Sequence, residues 1–590
     1  MTAMPDADQK PVMVNCHTHI FTGESVPPYI AKTFLPWPLY RVFSIKFILS
    51  ICRFWYMNRR SPQNWKHKRW YKRLQRAIYG YRSFVKRNTV PNLLVWVFNF
   101  VLAYHAAVYF LLWIISPFAA TGSGLVRMVR QAVQWLLNRD ALWLPASGWA
   151  RLGIVVFALL FSSTGRKFIF FILKKIWRLL RLLPDNITVQ FLKRYVNIGR
   201  FAYYREQGDI FSKLKAQYPA NTGFVVLPMD MEFMDAGKLP VTDGYKKQME
   251  ELYAIKKRQP ENTFFPFVFV DPRRTTVREQ TFFNWQPGEH GTVILQPCFI
   301  KEYIEEKKFS GFKIYPALGY YPFDEALLPL WKYAADHQLP ILTHCIRGTI
   351  FYRGTKKKEW GRHPLLMQAE GKDEFTPLLL PELKNRDFVN NFTHPLNYLC
   401  LVEEKLLRVL VGRAEDPRIK TLFGYNGPEK PMDHHLGQLK VCFGHFGGDD
   451  EWKKYLEKDR DSFTSQLVTS PETGIEFIRH NETLEDAYGR LEKIWKHVDW
   501  YALINSMMLR YDNLYADISY IIHNEAIFPL LKQTLSQHKL RQRVLFGTDF
   551  YVVRNHKSEK EMLLSARAAL SEAEFSAIAV TNPQTFLHSA

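Results

Sequence analysis

The chain has 590 residues, of which 47% are hydrophobic, so it does not lack apolar material for a folded core. Its formal net charge of +23 is local, because residues 33–200 carry 27 of the 79 Lys and Arg residues but only 2 of the 56 Asp and Glu residues. A near-neutral protein is thus interrupted by a basic block, and this asymmetry indicates an anionic partner surface, either lipid headgroups or nucleic acid.

The cysteines and the N-terminus bear on the compartment. Residues 1–10 are polar and acidic, without a basic stretch followed by an apolar run, so we expect no signal peptide. The six cysteines are scattered without a C-x-x-C pair, which predicts reduced thiols and suits the cytosol. They are Cys16, Cys52, Cys298, Cys345, Cys400 and Cys442.

Outside the basic block, short apolar runs recur and end in polar residues. Eight such runs lie at 12–20, 223–231, 263–272, 311–316, 340–345, 440–448, 514–519 and 544–550, with helical patterns at 244–258, 324–338 and 525–538 between some of them. Continuous apolar strands alternating with helices predict a parallel sheet buried on both faces. Eight units favour a closed (β/α)₈ barrel of the TIM type, and an open doubly wound sheet is the alternative.

Long insertions follow three of these strands, at about 36–200, 347–438 and 449–509. All begin at carboxyl ends of strands, which is the face where barrel active sites lie. We therefore divide the chain into a first barrel strand (1–32), a basic, apolar, helical insertion (33–200) and the remainder of the barrel (201–590).

Five residues at predicted strand ends are of metal-binding types. His17 and His19 lie two residues apart on one strand, so their side chains point to the same side. His344, His445 and Asp549 close the fifth, sixth and eighth runs. Imidazoles with one carboxylate suit Zn²⁺ or a similar transition metal and leave positions for water, whereas the alternative is a set of unrelated polar strand ends.

The same positions carry a family resemblance. The N-x-H-x-H start at 15–19, G-H-F-G-G at 444–448, G-T-D at 547–549 and the N-P pair at 582–583 with Phe586 resemble the amidohydrolase-related family that includes aminocarboxymuconate-semialdehyde decarboxylase. The resemblance covers residues 11–32 and about 220–590. It implies metal ligands His17, His19, His344 and Asp549. It also implies that His445 is the acid or base acting on water, with Asp549 as a second proton acceptor.

The resemblance does not determine which reaction the protein catalyses. It implies a metal-dependent hydrolase that attacks an amide, ester or lactone carbon with activated water, and the alternative within the fold is a non-oxidative decarboxylase. An alternative of another class is an inactive barrel that serves as a membrane-bound binding module. The expected metal is Zn²⁺, with Mn²⁺ or a binuclear site as alternatives.

Cationic residues near the strand ends are candidates for binding an anionic substrate group. Lys313 ends the fourth run, where it is either an ammonium that binds substrate or, as in binuclear relatives, a carboxylated lysine that bridges two metals. Arg273, Arg274 and Arg347 are further candidates, and each could equally be an ordinary surface arginine. We interpret three other histidines as structural: His394, His434 and His435.

The basic block also holds apolar runs of membrane type. Residues 88–126 contain no Asp, Glu, Lys or Arg, and 93–115 is long enough for one span, while 152–165 is shorter. Because the insertion must return to the same barrel, two spans or an interfacial insertion are required. The flanks at 59–87 and 167–183 mix bases with aromatic or aliphatic residues, as lipid-facing segments do.

The charge distribution predicts where the barrel lies. The flanks are more basic than the 121–150 turn, so the positive-inside rule places the barrel in the cytoplasm. Because the insertion leaves the barrel at its catalytic rim, we expect a small-molecule, amphiphilic substrate. The alternatives are a buried helical domain or nucleic-acid binding, but the block contains no nucleic-acid-binding motif.

Overall fold

The chain forms two compact units in the computed structural model. The model describes residues 12–588 apart from 33–36, 38, 43, 53–67, 117–123, 162–164, 172–173, 176–198, 200, 202, 240, 242, 276–281, 372–373, 382–384 and 458–461. The barrel unit comprises Met1–Phe54 and Phe191–Ala590, and the helical unit comprises Trp55–Gln190.

The barrel unit contains the following strands: β1 (Met13–Thr18), β2 (Thr222–Val226), β3 (Phe264–Pro266), β4 (Val268–Phe269), β5 (Trp285–Pro287), β6 (Val293–Leu295), β7 (Phe312–Ile314), β8 (Ile341–Ile346), β9 (Arg362–Ala369), β10 (Phe375–Leu379), β11 (Val441–Gly447), β12 (Leu514–Asp517) and β13 (Val544–Leu545). One parallel ladder runs β1-β2-β3 and another β4-β7-β8-β11-β12-β13. A parallel bridge between Thr18 and Phe550 joins their outer ends. The pairs β5–β6 and β9–β10 are antiparallel and separate from these ladders.

The two ladders form one closed barrel because β3 and β4 belong to a single run. Phe267, between them, donates its N–H to Val226 of the β2 side at 3.0 Å, and Val268 donates to Gly311 on the opposite side at 2.8 Å. All residues of β1, β2 and β11 are buried, so these strands do not alternate between buried and exposed positions. The predicted eight-stranded parallel barrel is confirmed.

The helices occur in the following order: α1 (Leu39–Val42), α2 (Ile45–Cys52), α3 (Arg69–Arg87), α4 (Thr89–Ile115), α5 (Gly124–Leu137), α6 (Gly148–Phe161), α7 (Gln207–Lys215), α8 (Gly244–Lys256), α9 (Pro272–Thr275), α10 (Phe299–Lys301), α11 (Leu328–Asp336), α12 (Asn385–Thr393), α13 (Leu399–Val402), α14 (Glu404–Gly412), α15 (Pro417–Phe423), α16 (Asp449–Leu456), α17 (Ser462–Thr469), α18 (Leu484–His497), α19 (Trp500–Arg510), α20 (Phe528–Ser536), α21 (His538–Arg541), α22 (Glu559–Ala569), α23 (Glu572–Ser576) and α24 (Asn582–Leu587).

The three predicted barrel helices correspond to α8, α11 and α20. The last two begin later than predicted because a 3₁₀ turn precedes each one. Asp324 and Asn524 cap these turns with their side chains, and Pro329 and Pro529 then occupy the first turn of the α-helix, where proline is tolerated. The insertion after β8 folds into the β9–β10 hairpin and α12–α15, and the insertion after β11 into α16–α19.

The helical unit has a small core and an extensive apolar surface. Tyr109, Val133 and Leu142 form the buried cluster in which α4 and α5 take part. Within the described residues, α4 is long and apolar enough to cross a membrane, whereas Gly148–Leu160 and Gly165–Phe171 pass the same test only as one broken span. Parts of the predicted basic flanks, 59–67 and 176–183, lie outside the described residues.

Candidate metal centre and active site

His17 in β1 and His19 just after it each have one ring nitrogen that is hydrogen-bonded to an oxygen acceptor. Nδ1 of His17 lies 2.9 Å from Oδ2 of Asp517, and Nδ1 of His19 lies 2.9 Å from the carbonyl oxygen of Leu227. Because these acceptors hold a proton on Nδ1, Nε2 of each ring keeps its lone pair. Nε2 of His17 is buried and has no hydrogen-bond partner among the described residues, as expected for a nitrogen that binds a cation.

Asp549 brings a carboxylate to these two nitrogens. Its backbone N–H donates to the carbonyl of His17 at 2.9 Å, which fixes the loop after β13 against β1. Oδ1 of Asp549 then lies 3.3 Å from Nε2 of His19 and 3.9 Å from Nε2 of His17. The residue has φ of +61°, a conformation unusual outside glycine and found preferentially at functional sites.

These distances fit a divalent metal. Two ligand atoms about 2.0–2.1 Å from one ion and at a tetrahedral angle lie roughly 3.4 Å apart, close to the 3.3 and 3.9 Å separations. His17, His19 and Asp549 are all buried, and their ligand atoms lie within 4.8 Å of one another. A second group, His17, His445 and Asp517, meets the same distance criterion. Nδ1 of His17 faces that group, whereas the lone pair of Nε2 faces Asp549.

The sequence-derived ligand His344 is placed differently from the other three. Its Nδ1 lies 3.1 Å from Nε2 of His445, and its Nε2 lies 3.1 Å from the hydroxyl of Tyr315, whose ring stacks on the imidazole. His344 shares the small cavity with His19 and Asp549 but is not one of the three residues whose ligand atoms converge.

His445 is held in one orientation from several directions. Its backbone N–H donates to Oδ1 of Asp517 at 3.1 Å, and its Nδ1 lies 2.9 Å from the hydroxyl of Ser519. Its φ of +67° is again a left-handed value in a residue other than glycine. Burial lowers the pKa of His445 well below its usual value, so the ring is neutral at pH 7 and can accept a proton.

Asp517 and Ser519 connect the first histidine to His445, and we did not predict them from the sequence. Oδ1 of Asp517 also accepts from the backbone N–H of Ser519 at 3.0 Å, and the Ser519 hydroxyl lies 3.0 Å from Nδ1 of His17. Both residues are fully buried. The signal that could have found them is position, because Asp517 is the last residue of β12 and Ser519 ends the seventh apolar run.

The glycine of the G-T-D element is required by close packing. A Cβ atom at Gly547 would lie 2.8 Å from Cβ of His17 and 3.1 Å from Cβ of Ser519. Any other residue would therefore displace the first histidine from the position in which Asp517 and Ser519 hold it.

Lys313 lies inside the barrel, close to the same carboxylates. It is 1% exposed, and its Nζ has no hydrogen-bond partner among the described residues. Burial lowers the pKa of Lys313 to about 8, although the negative charges of Asp517 and Asp549 act in the opposite direction. Lys313 thus places a cation next to the candidate metal centre.

The three arginines considered from the sequence are placed away from this centre. Arg273 forms an ion pair with Asp271, with Nη2 and Oδ2 2.5 Å apart, and Arg274 pairs with Asp230 and Glu232. Arg347 lies 3.0 Å from Glu451 and lines a separate cavity of about 740 Å³ between the insertions that follow β8 and β11. These three arginines do not line the cavity that contains the histidines.

Two of the three histidines that we interpreted as structural form hydrogen bonds with nearby backbone N–H groups. His394 accepts from the N–H of Leu396 at 3.2 Å and stacks on Trp495, and His435 accepts from the N–H of Gly437 at 3.0 Å.

The cavity at the candidate centre is small and largely apolar. It has a volume of about 50 Å³, room for a few water molecules. Its polar lining includes His19, His344, His445 and Asp549. The apolar lining is formed by Phe21, Met229, Met231, Ile346, Ile350 and Val552.

No family model and no curated protein sequence matches the chain. Solved structures to which it is similar include 4-oxalomesaconate hydratase from Rhodopseudomonas palustris, at 11% identity over 64% of this chain and 80% of that one, with a TM-score of 0.32. An amidohydrolase from Burkholderia multivorans matches at 12% identity over 66% of this chain and 91% of that one, with a TM-score of 0.30. 5-Carboxyvanillate decarboxylase from Novosphingobium aromaticivorans, with bound manganese, matches at 12% identity over 70% of this chain and 87% of that one, with a TM-score of 0.32.

Proposed function

We propose that the barrel unit is a divalent-metal-dependent hydrolase that attacks an amide, ester or lactone carbon with water. The observation that carries this proposal is the convergence of Nε2 of His17, Nε2 of His19 and a carboxylate oxygen of Asp549, with the opposite nitrogen of each ring already bonded. When bound, a metal such as Zn²⁺ acts as a Lewis acid and allows water to lose a proton near neutral pH. We propose Zn²⁺ as the metal and Mn²⁺ as the alternative.

His445 is the residue proposed to move the proton. Because the Ser519 hydroxyl lies 2.9 Å from Nδ1, we propose that Nε2 accepts the proton from the attacking water, which requires Nε2 to exchange its contact with His344 for one with water. His344 lies 3.1 Å from that nitrogen. The resemblance makes His344 a fourth metal ligand, whereas its distances make it the partner of His445. Loss of metal in His344→Ala supports the first role, and retention of metal with loss of turnover supports the second.

A second candidate reaction is non-oxidative decarboxylation. The observation that favours it is Lys313, because a buried cation without a hydrogen-bond partner among the described side chains favours a nearby substrate carboxylate. A binuclear site bridged by carboxylated Lys313 would instead require two metal ions per chain. Release of CO₂, lost in Lys313→Met, would establish the decarboxylase, and release of amine, alcohol or acid products would establish the hydrolase.

The experiment is a reconstitution assay on the full-length protein. Metal is removed with a chelator and restored, and turnover is followed on a panel of amides, esters, lactones and carboxylic acids. We expect restored turnover in the wild type and in the exposed-histidine control His435→Ala, but not in His17→Ala or His19→Ala. Stoichiometric metal binding without turnover of any substrate class would instead support the inactive barrel.

We also propose that the helical unit holds the protein to a membrane through α4. Only 11% of the most apolar 18-residue window of α4 is buried. Among its exposed side chains, Leu94, Trp96, Phe98 and Trp113 are 62–72% exposed. A soluble domain would bury such a face. Retention of the full-length protein in the membrane pellet after alkaline carbonate extraction tests this proposal, and release into the supernatant contradicts it.

Two further properties concern the location of the barrel unit and the kind of substrate. The positive-inside rule places the barrel unit in the cytoplasm, which protection of the barrel from protease in sealed, right-side-out cells would test. The apolar lining of the small cavity, including Phe21, Met229 and Met231, supports a substrate with an apolar part next to its reacting group. The preference of the reconstituted enzyme for long-chain over short-chain substrates tests that proposal.

A further inference from the structure

Helix α3 has an exposed apolar face. Its apolar and aromatic side chains recur every three or four residues and therefore share one side of the helix. They are Trp70, Leu74, Ile78, Tyr81 and Phe84, which are 43–61% exposed. A helix at the surface of a soluble domain turns such a face toward a core, so this face requires another apolar surface.

The rest of α3 is strongly basic. Its exposed bases are Arg69, Lys72, Arg73, Arg76, Arg82, Lys86 and Arg87, and the helix contains no acidic residue. At 100° per residue, Arg69, Lys72, Arg76 and Lys86 lie about 120–180° from the centre of the apolar face, whereas Arg73 lies at its edge. A basic face opposite an aromatic, apolar face is the composition of a helix that lies in the plane of an anionic membrane.

The junction with α4 agrees with this placement. Only Asn88 separates the two helices, and its φ of −114° and ψ of +125° are extended values that break the helical path. Its side chain donates to the carbonyl oxygen of Phe84 at 2.7 Å and so closes the last turn of α3. The chain thus passes from a basic amphipathic helix to an apolar helix across one extended residue.

We propose that α3 lies in the headgroup layer of an anionic leaflet, with its apolar face toward the acyl chains and its bases among the lipid phosphates. This proposal rests on the membrane association of the helical unit. Charge complementarity selects anionic lipid, and the aromatic side chains suit the interface between headgroups and hydrocarbon. Each base near such a surface contributes about fivefold to binding.

The test uses the full-length protein in nanodiscs of phosphatidylcholine alone or mixed with phosphatidylserine. Chymotrypsin cleaves after aromatic residues, and Tyr79 is 76% exposed. The rate of cleavage after Tyr79 and Tyr81 is measured by mass spectrometry. We expect this rate to be lower by about tenfold or more in the anionic discs than in the discs of phosphatidylcholine alone. High salt should restore the rate, because it screens charge–charge attraction.

A variant that lacks four bases of α3 and a control that lacks four bases elsewhere distinguish an effect of α3 from an effect of the protein's net charge. Four Gln substitutions at Arg69, Lys72, Arg73 and Arg76 leave the cleavage sites intact and should lower the bound-to-free ratio by roughly 10²- to 10³-fold, so protection is lost. The control removes four exposed bases from the barrel unit, at Lys213, Lys246, Arg362 and Lys430, and should retain protection.

The outcomes are distinguishable. Equal cleavage rates in the two kinds of disc overturn the proposal for α3, even where carbonate extraction shows that the protein is integral. Release by carbonate with lipid-dependent protection of α3 overturns the membrane attachment proposed for α4 and still supports the in-plane helix. Protection of α3 by duplex DNA, without protection by anionic discs, overturns the lipid assignment in favour of nucleic-acid binding.

Discussion

Replacement of Asp517 by asparagine tests whether the metal site depends on the orientation of His17. The Asp517 carboxylate accepts from Nδ1 of His17 and from the backbone N–H groups of His445 and Ser519. An asparagine has one acceptor oxygen. If that oxygen keeps the two backbone donors, its NH₂ group faces Nδ1 of His17 and favours the tautomer that carries the proton on Nε2. The nitrogen proposed to bind metal then loses its lone pair.

The expected magnitude follows from that change. Loss of the partner that orients a ligating histidine costs about 10- to 100-fold in metal affinity, which is about 1.4–2.8 kcal/mol. Affinity is measured by competition with a chromophoric chelator on the folded full-length variant. The matched control is Asp499→Asn, which changes another buried carboxylate that lies outside the centre and caps α19. Unchanged metal affinity in Asp517→Asn, or an equal loss in Asp499→Asn, would refute the reasoning.

Three further predictions concern the proposed proton acceptor His445, the buried carboxyl group of Asp499 and the ion pair of Arg273 with Asp271. His445→Gln should retain metal and lose about 10²- to 10⁴-fold in kcat, measured on the best substrate of the panel; loss of metal would contradict the assigned role. Burial raises the pKa of Asp499 from its ordinary value to about 6, so its contribution to stability is fully present below about pH 4 and is lost as the pH rises through 6. The free energy of unfolding of Asp499→Asn relative to wild type should therefore increase by about 3 kcal/mol between pH 3 and 7, and a flat difference in urea titrations would disagree. Arg273→Ala leaves the fully buried Asp271 carboxylate without its ion-pair partner, which should cost about 3 kcal/mol of stability without changing KM; a raised KM with unchanged stability would restore Arg273 as a substrate contact.

The barrel could be predicted because its strands are local apolar runs. Their carboxyl ends meet at one rim, so residues such as His17, His19 and Asp549 could be brought together from sequence position alone. The pairing of His344 with His445 could not, because it depends on ring orientations set by Tyr315 and Ser519.

The arginines show a second limit of the sequence argument. In a strand, alternate side chains point to opposite faces. His344 and Ile346 of β8 line the small cavity, whereas Arg347, which follows the last residue of β8, lines the larger one. The pairing of Arg273 with Asp271, two residues away, is also local, but nothing in the sequence distinguishes an ion pair from a substrate contact.

The most direct measurement of the proposed centre is an anomalous diffraction map from crystals of the metal-loaded protein, recorded at the absorption edge of the metal. The account predicts one peak about 2.0–2.2 Å from Nε2 of His17, Nε2 of His19 and a carboxylate oxygen of Asp549. Absence of a peak, or a peak on the other side of the His17 ring between His445 and Asp517, would contradict it.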